Sequence, residues 1–335
     1  MKSIITSAPG KIVIVGEFAV LKNAPSISMA VNRRAIVSIE EIQASSHIIE
    51  THGILESEWR FNGNESGGFI WLGSEPKKNI LELFELFWRK VKIKSDIKYK
   101  FTLDTSMFFD PINKNKLGLG SSSALIVAMS VAFIKFFDIT ENINDFAHQI
   151  HTEFQSGLGS GVDVQTALDG GLIRYIRHER DNAVGIKFPS NFMYKILWSG
   201  EPVSTEQKLK SLKALEGDVF QDFSEITKKL SSHWTLYDKK SFVDDFDHYI
   251  VKLKNFSDHF NLDLLGAKHD LIVDYAMSFK DSVYKPCGAG GDIGICISSS
   301  GTNLNSVIDY AESLGFISLD ITCEDEGYKI ESINE

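Results

Sequence analysis

The spacing of apolar positions changes along the chain. Residues 11–15, Lys-Ile-Val-Ile-Val, are a β-branched run bounded by Gly10 and Gly16, the pattern of a short buried strand. Comparable runs predict strands at 26–31, 34–42, 98–103, 172–177, 193–199, 293–298 and 316–321, with weaker ones at 46–50 and 57–61. Elsewhere the spacing lengthens to three and four. Ile80, Leu83, Phe84, Phe87 and Val91 predict a helix over 79–93. Further helices are expected at 121–137, 141–155, 163–168, 204–214, 217–233, 240–256, 260–279 and 303–314. Strands followed by helices in both halves predict an α+β protein whose two domains, 1–185 and 186–335, share a cleft.

Composition narrows the classes of function. The 335 residues are 43% hydrophobic and 24% charged, an ordinary globular balance. A net charge of −10, with no basic run to override it, disfavours nucleic acid as a partner. Three widely spaced cysteines, Cys287, Cys296 and Cys323, predict neither a disulfide framework nor a cysteine metal site, and the default setting is a reducing cytoplasm. The longest apolar stretch, 124–137, contains Ser130 and Lys135 and falls short of the roughly 20 apolar residues a membrane span needs. A buried helix fits it better. At the N-terminus Pro9, Gly10 and Lys11 interrupt the apolar run, so no signal peptide or membrane association is expected.

The candidate chemistry lies in four segments. Lys116-Leu-Gly-Leu-Gly-Ser-Ser-Ser-Ala124 is a glycine turn opening a helix, which presents unpaired backbone N–H groups and a positive dipole end to an anion. No Gly-Lys-Ser/Thr follows, so it is not a Walker A loop. Its serine hydroxyls suit phosphate oxygens and a hard cation such as Mg²⁺, and Lys116 adds charge. In Ala8-Pro9-Gly10-Lys11, the lysine is either a solvated strand end or a cation that offsets charge on a transferring phosphoryl group. In Gln155-Ser-Gly-Leu-Gly-Ser-Gly-Val-Asp163, the aspartate is either a helix cap or a base or orienting anion for an acceptor oxygen. Glu153, on the preceding helix, is either solvated or a metal ligand. Lys285-Pro-Cys-Gly-Ala-Gly-Gly-Asp-Ile-Gly294 precedes a strand, where a dinucleotide fingerprint must follow one. It reads as a loop that lets the backbone approach phosphates, or as a tight turn.

Taken together and in this order, these segments resemble the GHMP kinases, the family of galactokinase, homoserine kinase, mevalonate kinase and phosphomevalonate kinase. The resemblance runs from residue 6 to about residue 300. It implies a two-domain fold, an N-terminal ribosomal-S5-like α+β domain and a C-terminal ferredoxin-like α+β domain, with ATP and substrate in the cleft between them. Four features are similar to the phosphomevalonate kinase branch: the aromatic in Gly16-Glu17-Phe18-Ala19-Val20, Lys116 two positions before Gly118, the run Leu197-Trp-Ser-Gly-Glu-Pro-Val-Ser-Thr205, and Lys285-Pro286. Two features depart from the pattern. Gly290-Gly291-Asp292 has one glycine fewer than is usual before the aspartate, and Ser123 stands where glycine or alanine is common.

The resemblance implies transfer of the ATP γ-phosphoryl group, with Mg²⁺, to a small phosphorylated substrate, 5-phosphomevalonate. It assigns Lys11 and Asp163 to catalysis, and Lys116, Gly118, Leu119, Gly120, Ser121, Ser122 and Ser123 to ATP phosphates. It assigns Glu17, Ser160, Gly288, Ala289 and Gly290 to substrate, and Ser122 and Glu153 to the metal. A mevalonate or other small-alcohol kinase is the second expectation, and a non-catalytic ligand sensor of the same fold the third. Trp59, Trp71 and Asn79 are either part of the adenine pocket or packing residues.

Overall fold

The computed structural model describes all residues except 54, 64–67, 74–75, 77–80, 94–95, 203–214, 235–238 and 335. The expected helix at 204–214, the residues Val203, Ser204 and Thr205, and Asn79 therefore lie outside the described residues. The described strands are β1 (Ser3–Val15), β2 (Ser26–Ile42), β3 (His47–His52), β4 (Ser57–Gly63), β5 (Phe69–Leu72), β6 (Lys98–Asp104), β7 (Leu172–Tyr175), β8 (Val184–Ile186), β9 (Met193–Trp198), β10 (Ser282–Pro286), β11 (Ile293–Ser298), β12 (Ile317–Leu319) and β13 (Lys329–Asn334). The α-helices are α1 (Glu82–Val91), α2 (Ser121–Phe136), α3 (Ile143–Phe154), α4 (Val162–Asp169), α5 (Asp218–Ser232), α6 (Lys239–Phe260), α7 (Gly266–Met277) and α8 (Gly301–Ser313).

Among the described residues these elements make two sheets. The larger follows the order β13-β1-β2-β6-β3-β4-β5, with β7 paired to β2 and β8 to β7. The smaller follows β10-β11-β9-β12. Among the described residues only β3 and β6 pair in parallel, as a crossover that includes α1 requires. The β13 strand returns to the larger sheet and pairs with β1, so the end of the chain closes on its beginning.

The structure lengthens some expected elements and divides another. The run at 11–15 is the end of a 13-residue strand, because Pro9 and Gly10 are accommodated in an irregular register against β2. The runs at 26–31 and 34–42 merge into the 17-residue β2, with the same irregularity between them. The helix expected at 260–279 begins only at Gly266, since Asn261 and Asp263 take left-handed backbone angles (φ 54° and 47°) that end α6. The strands β5, β8, β10 and β13, three to six residues long, were not among the expected ones.

The position of α2 matters most for the site. It is buried on nearly every side and packs against β1 and β2. Its N-terminus therefore lies beside Lys11 in β1. A side chain at Gly10 would meet the Leu119 carbonyl oxygen at 2.4 Å and the Phe108 ring at 2.5 Å. Its absence lets the Gly118–Ser123 turn seat on the strand, where the Lys11 N–H donates to the Leu119 carbonyl at 2.8 Å. One apolar cluster then runs from β1 (Ile12, Ile14) through Leu117 and Leu119 to Trp198, Phe246 and Ile293, joining the two sheets in a single core.

Candidate active site

Lys11 is the centre of the site. Its ammonium lies 3.2 Å from Asp163 Oδ2, and both side chains are largely buried. The two residues are 152 positions apart in number, and two local features bring them together. Gly120 has φ +77°, which ends the turn and starts α2, and a side chain there would meet Lys11 Cε at 3.0 Å. The Lys11 stem therefore runs across the mouth of α2. On the other side, Gly161 caps α4 and leaves Asp163 in its first turn. Asp163 makes no capping hydrogen bond, and its carboxylate is turned to Lys11 instead.

Lys11 lies between two concavities. One is lined by Lys11, Glu17, Phe18, His151, Ser160 and Asp163 among others, with Gly288 and Ala289 of the last glycine loop on its far side. The other is narrower, between β1, Gly118 and the residues Cys287, Gly288, Ala289 and Asp292. Ser160 accepts a hydrogen bond from the Val162 N–H at 3.3 Å, and its carbonyl accepts from the Tyr175 hydroxyl at 3.0 Å, which fixes the turn before Asp163.

The Gly118–Ser123 turn presents the free N–H groups of α2 next to the Lys11 side chain. The Ser123 hydroxyl folds back on the Gly120 carbonyl at 2.8 Å, while Ser122 donates to no other described residue. Lys116 is held below the ordinary lysine range by burial and by nearby Lys11, against the opposing pull of Asp292. Asp292 rests against Gly118, where a side chain would meet Oδ2 at 2.2 Å. Two cations and an acid from the C-terminal half thus crowd one glycine turn.

The last glycine loop is tied from the small sheet. Ser199 donates through its N–H to the Asp292 carbonyl and through its hydroxyl to the Gly291 carbonyl, both at 2.8 Å. Asn115, just ahead of Lys116, donates to the Gly200 carbonyl at 3.1 Å. The Trp198-Ser199-Gly200 run therefore clamps both glycine loops together. Burial pushes the Cys287 thiol up to about 12, so it stays protonated and acts as a packing group.

Three of the expected site residues lie elsewhere or are otherwise engaged. Glu153 pairs with Lys90 at 2.7 Å on the surface of α3 and is absent from the lining of both concavities. The α3 helix turns its Glu153 face towards α1, where Lys90 waits. Gly290 faces the Leu264 carbonyl, which a side chain would meet at 2.2 Å, and not the cavity. Glu17 lines the cavity, but both of its carboxylate oxygens are bound by protein, to Lys285 and Tyr249.

Trp59 is buried in the aromatic core, and Trp71 is partly buried there with its ring against Phe61 and Phe69, so both serve packing. Conversely, the motifs did not contain His151, which lines the cavity, and gave no role to Gln155, which lines it too. Burial holds His151 at about 4 against the raising effect of Asp163, so the imidazole is neutral at pH 7. The i, i+3 spacing of His148 and His151 on an amphipathic helix was the one signal that could have found it. Among the described residues no group of three or more His, Cys, Asp or Glu could hold a metal, and no helix is long and apolar enough to cross a membrane.

The chain was compared with known proteins. Residues 79–171 match the family model described as the GHMP kinases N terminal domain. The chain is 26% identical to a phosphomevalonate kinase of Saccharolobus solfataricus, over 97% of this chain and 98% of that protein. It is 24% identical to a mevalonate kinase of the same organism, over 87% and 88% of the two chains. Its fold superposes on the Lin0012 protein of Listeria innocua with a TM-score of 0.80 at 20% identity, covering 98% and 99%. It superposes on Streptococcus pneumoniae phosphomevalonate kinase in complex with phosphomevalonate and AMPPNP with a TM-score of 0.74 at 15% identity, covering 96% and 99%.

Proposed function

This chain is a member of the GHMP kinase superfamily, and from that premise we propose that it transfers the γ-phosphoryl group of ATP to the phosphate of 5-phosphomevalonate, giving the diphosphate. The observation that carries this reading is the Lys11–Asp163 pair at 3.2 Å, set between the N-terminus of α2 and the cavity lined by Ser160 and Gly288. Two relatives named phosphomevalonate kinase, in Saccharolobus solfataricus and a Streptomyces species, align over 97% of the chain and support the acceptor.

The chemistry follows from charge. A phosphate acceptor is anionic near neutral pH, so bringing it to ATP is opposed mainly by repulsion between anions. The α2 N–H groups, with Leu119 and the serines, bind the nucleotide phosphates. Lys116 draws negative charge towards the turn. Lys11, held in place by Asp163, meets the phosphoryl group in transit and offsets the charge on its equatorial oxygens. Asp163 positions Lys11 and the acceptor. Neutral His151 and Gln155 offer hydrogen bonds without altering the charge of the cavity.

Hydroxyl oxygens suit Mg²⁺, and Ser122 is the side chain on the nucleotide turn that would hold it, together with the phosphates of ATP. That ion would neutralise charge on the nucleotide.

The test is ADP release with each acceptor offered separately. Turnover with 5-phosphomevalonate and none with mevalonate is expected; turnover with mevalonate alone would overturn the acceptor. That second reading, an alcohol acceptor, is favoured by one feature: a carboxylate, Asp163, already at the cavity as a candidate base. Asp163→Asn separates the two. A phosphate acceptor leaves the pH profile unchanged as the rate falls, whereas an alcohol acceptor loses its acidic limb.

A further inference from the structure

Glu17 is buried at the edge of the cavity, with each carboxylate oxygen already bound by a protein group. Its Oε1 accepts from the Lys285 ammonium, which is 0% exposed, and its Oε2 accepts from the Tyr249 hydroxyl. Tyr249 then accepts the Gly16 N–H at 2.8 Å. The phenol is fully used, one bond donated and one accepted, and burial beside Glu17 pushes its pKa well above the ordinary tyrosine value, so it stays a donor. Lys285 comes from β10 and Tyr249 from α6, while Gly16 and Glu17 directly follow β1. The cluster therefore joins segments more than 230 positions apart in number.

The turn it holds is unfavourable by itself. Phe18 has φ +57°, a left-handed backbone for a bulky residue. Its ring packs against Phe256, also from α6, with centroids 5.9 Å apart. The next residues, Val20 and Leu21, form a short 3₁₀ turn and line the cavity with Phe18. A strained turn whose next side chains form the wall of a pocket needs outside anchors, and this cluster supplies them.

We infer that Tyr249 and Lys285 are positioning residues for the acceptor: through Glu17 they hold the Gly16–Leu21 turn in the shape that makes it one wall of the pocket. This rests on the reading that this cavity takes the acceptor while the α2 turn takes ATP. It assigns acceptor affinity to two residues of the C-terminal half that never touch the acceptor.

Tyr249→Phe removes one oxygen and keeps the ring. The acceptor KM should rise about tenfold, with the ATP KM within about twofold and kcat within about threefold. Amide hydrogen exchange in a peptide spanning residues 12–21 should quicken about tenfold, with the α2 peptide unchanged. A purely structural role would lower thermal stability and leave this KM split absent. Should Lys285→Met fail to fold through its stranded carboxylate, Glu17→Gln with Lys285→Met removes both charges and should show the same KM split. Wild-type acceptor KM and wild-type exchange in Tyr249→Phe would overturn the inference. Failure of the acceptor assignment reads differently. If the wild type consumes mevalonate instead, the split is measured with mevalonate; if it consumes neither, the exchange of the 12–21 peptide decides.

Discussion

Two buried regions of the larger sheet invite comparison. On one flank, Phe61, Phe69, Trp71, Phe84, Trp88 and Phe101 pack ring against ring, with centroids commonly 5–6 Å apart. At the mouth of α2, the buried groups are Lys11, Asp163, Glu17, Lys285 and Lys116. The flank is drawn almost wholly from 40 or so consecutive residues and carries no chemistry. The cleft is drawn from four distant segments, and each charge there is buried only because another charge or a polar group meets it. The lesson is energetic. Apolar burial is favourable residue by residue, whereas a buried charge is tolerable only as part of an assembled set.

Even the histidines follow this divide. His47 is stacked among Phe61, Trp88 and Tyr99 and accepts the Tyr99 N–H at 3.1 Å. His151 sits in the cleft with Asp163 close by. Both are held at about 4 by burial, one serving packing and the other facing the cavity.

If the comparison is right, cleft substitutions should change rate with folding intact, and flank substitutions the reverse. The largest effect is expected for Lys11→Met: a loss of about 10³-fold in kcat/KM, measured by ADP release, with thermal midpoint close to wild type. A fall of less than about tenfold would remove Lys11 from the reaction. Next comes Phe61→Ala, which should lower unfolding free energy by about 3 kcal/mol in urea titrations while kcat stays within about threefold. A large loss of rate in the folded variant would mean that the flank communicates with the cleft.

Acid sensitivity is third. A histidine whose folded pKa lies below its unfolded value contributes stability above about pH 6.5 and loses it as pH falls from there towards 4, because the unfolded chain binds the proton first. At pH 5 the loss should be about 2 kcal/mol for each of His47 and His151. His47→Gln should flatten the pH dependence of stability without moving the pH–rate profile; an unchanged stability profile would show that His47 titrates normally. The smallest effect is expected for Lys116→Met, about a tenfold rise in the ATP KM with the acceptor KM unchanged, measured in the same assay. An equal rise for both substrates would show that Lys116 serves the whole site and not the nucleotide turn alone.

How much was legible beforehand follows the same physics. The α2 helix and its glycine turn could be read directly, since a continuous apolar run after Gly-Leu-Gly is a local signal. So could the strand carrying Lys11, although its true length could not, because Pro9 and Gly10 break the pattern that β2 restores by pairing. The partner of Glu153 was not legible. A carboxylate ten positions from Asp163 in number looked available, and only the packing of α3 beside α1 revealed Lys90 against it. Glu17 was placed at the cavity by its motif, but nothing local to it named Tyr249 or Lys285 as its partners.

By itself the sequence determined which helix would be buried and where a glycine turn would bare the first backbone amides of that helix, because each depends on neighbours within a turn. The tertiary structure alone decided which charges face one another. Electrostatic energy in a dry cleft depends on distances of 3 to 4 Å between groups whose separation along the chain is over a hundred residues, and no short-range pattern encodes those distances.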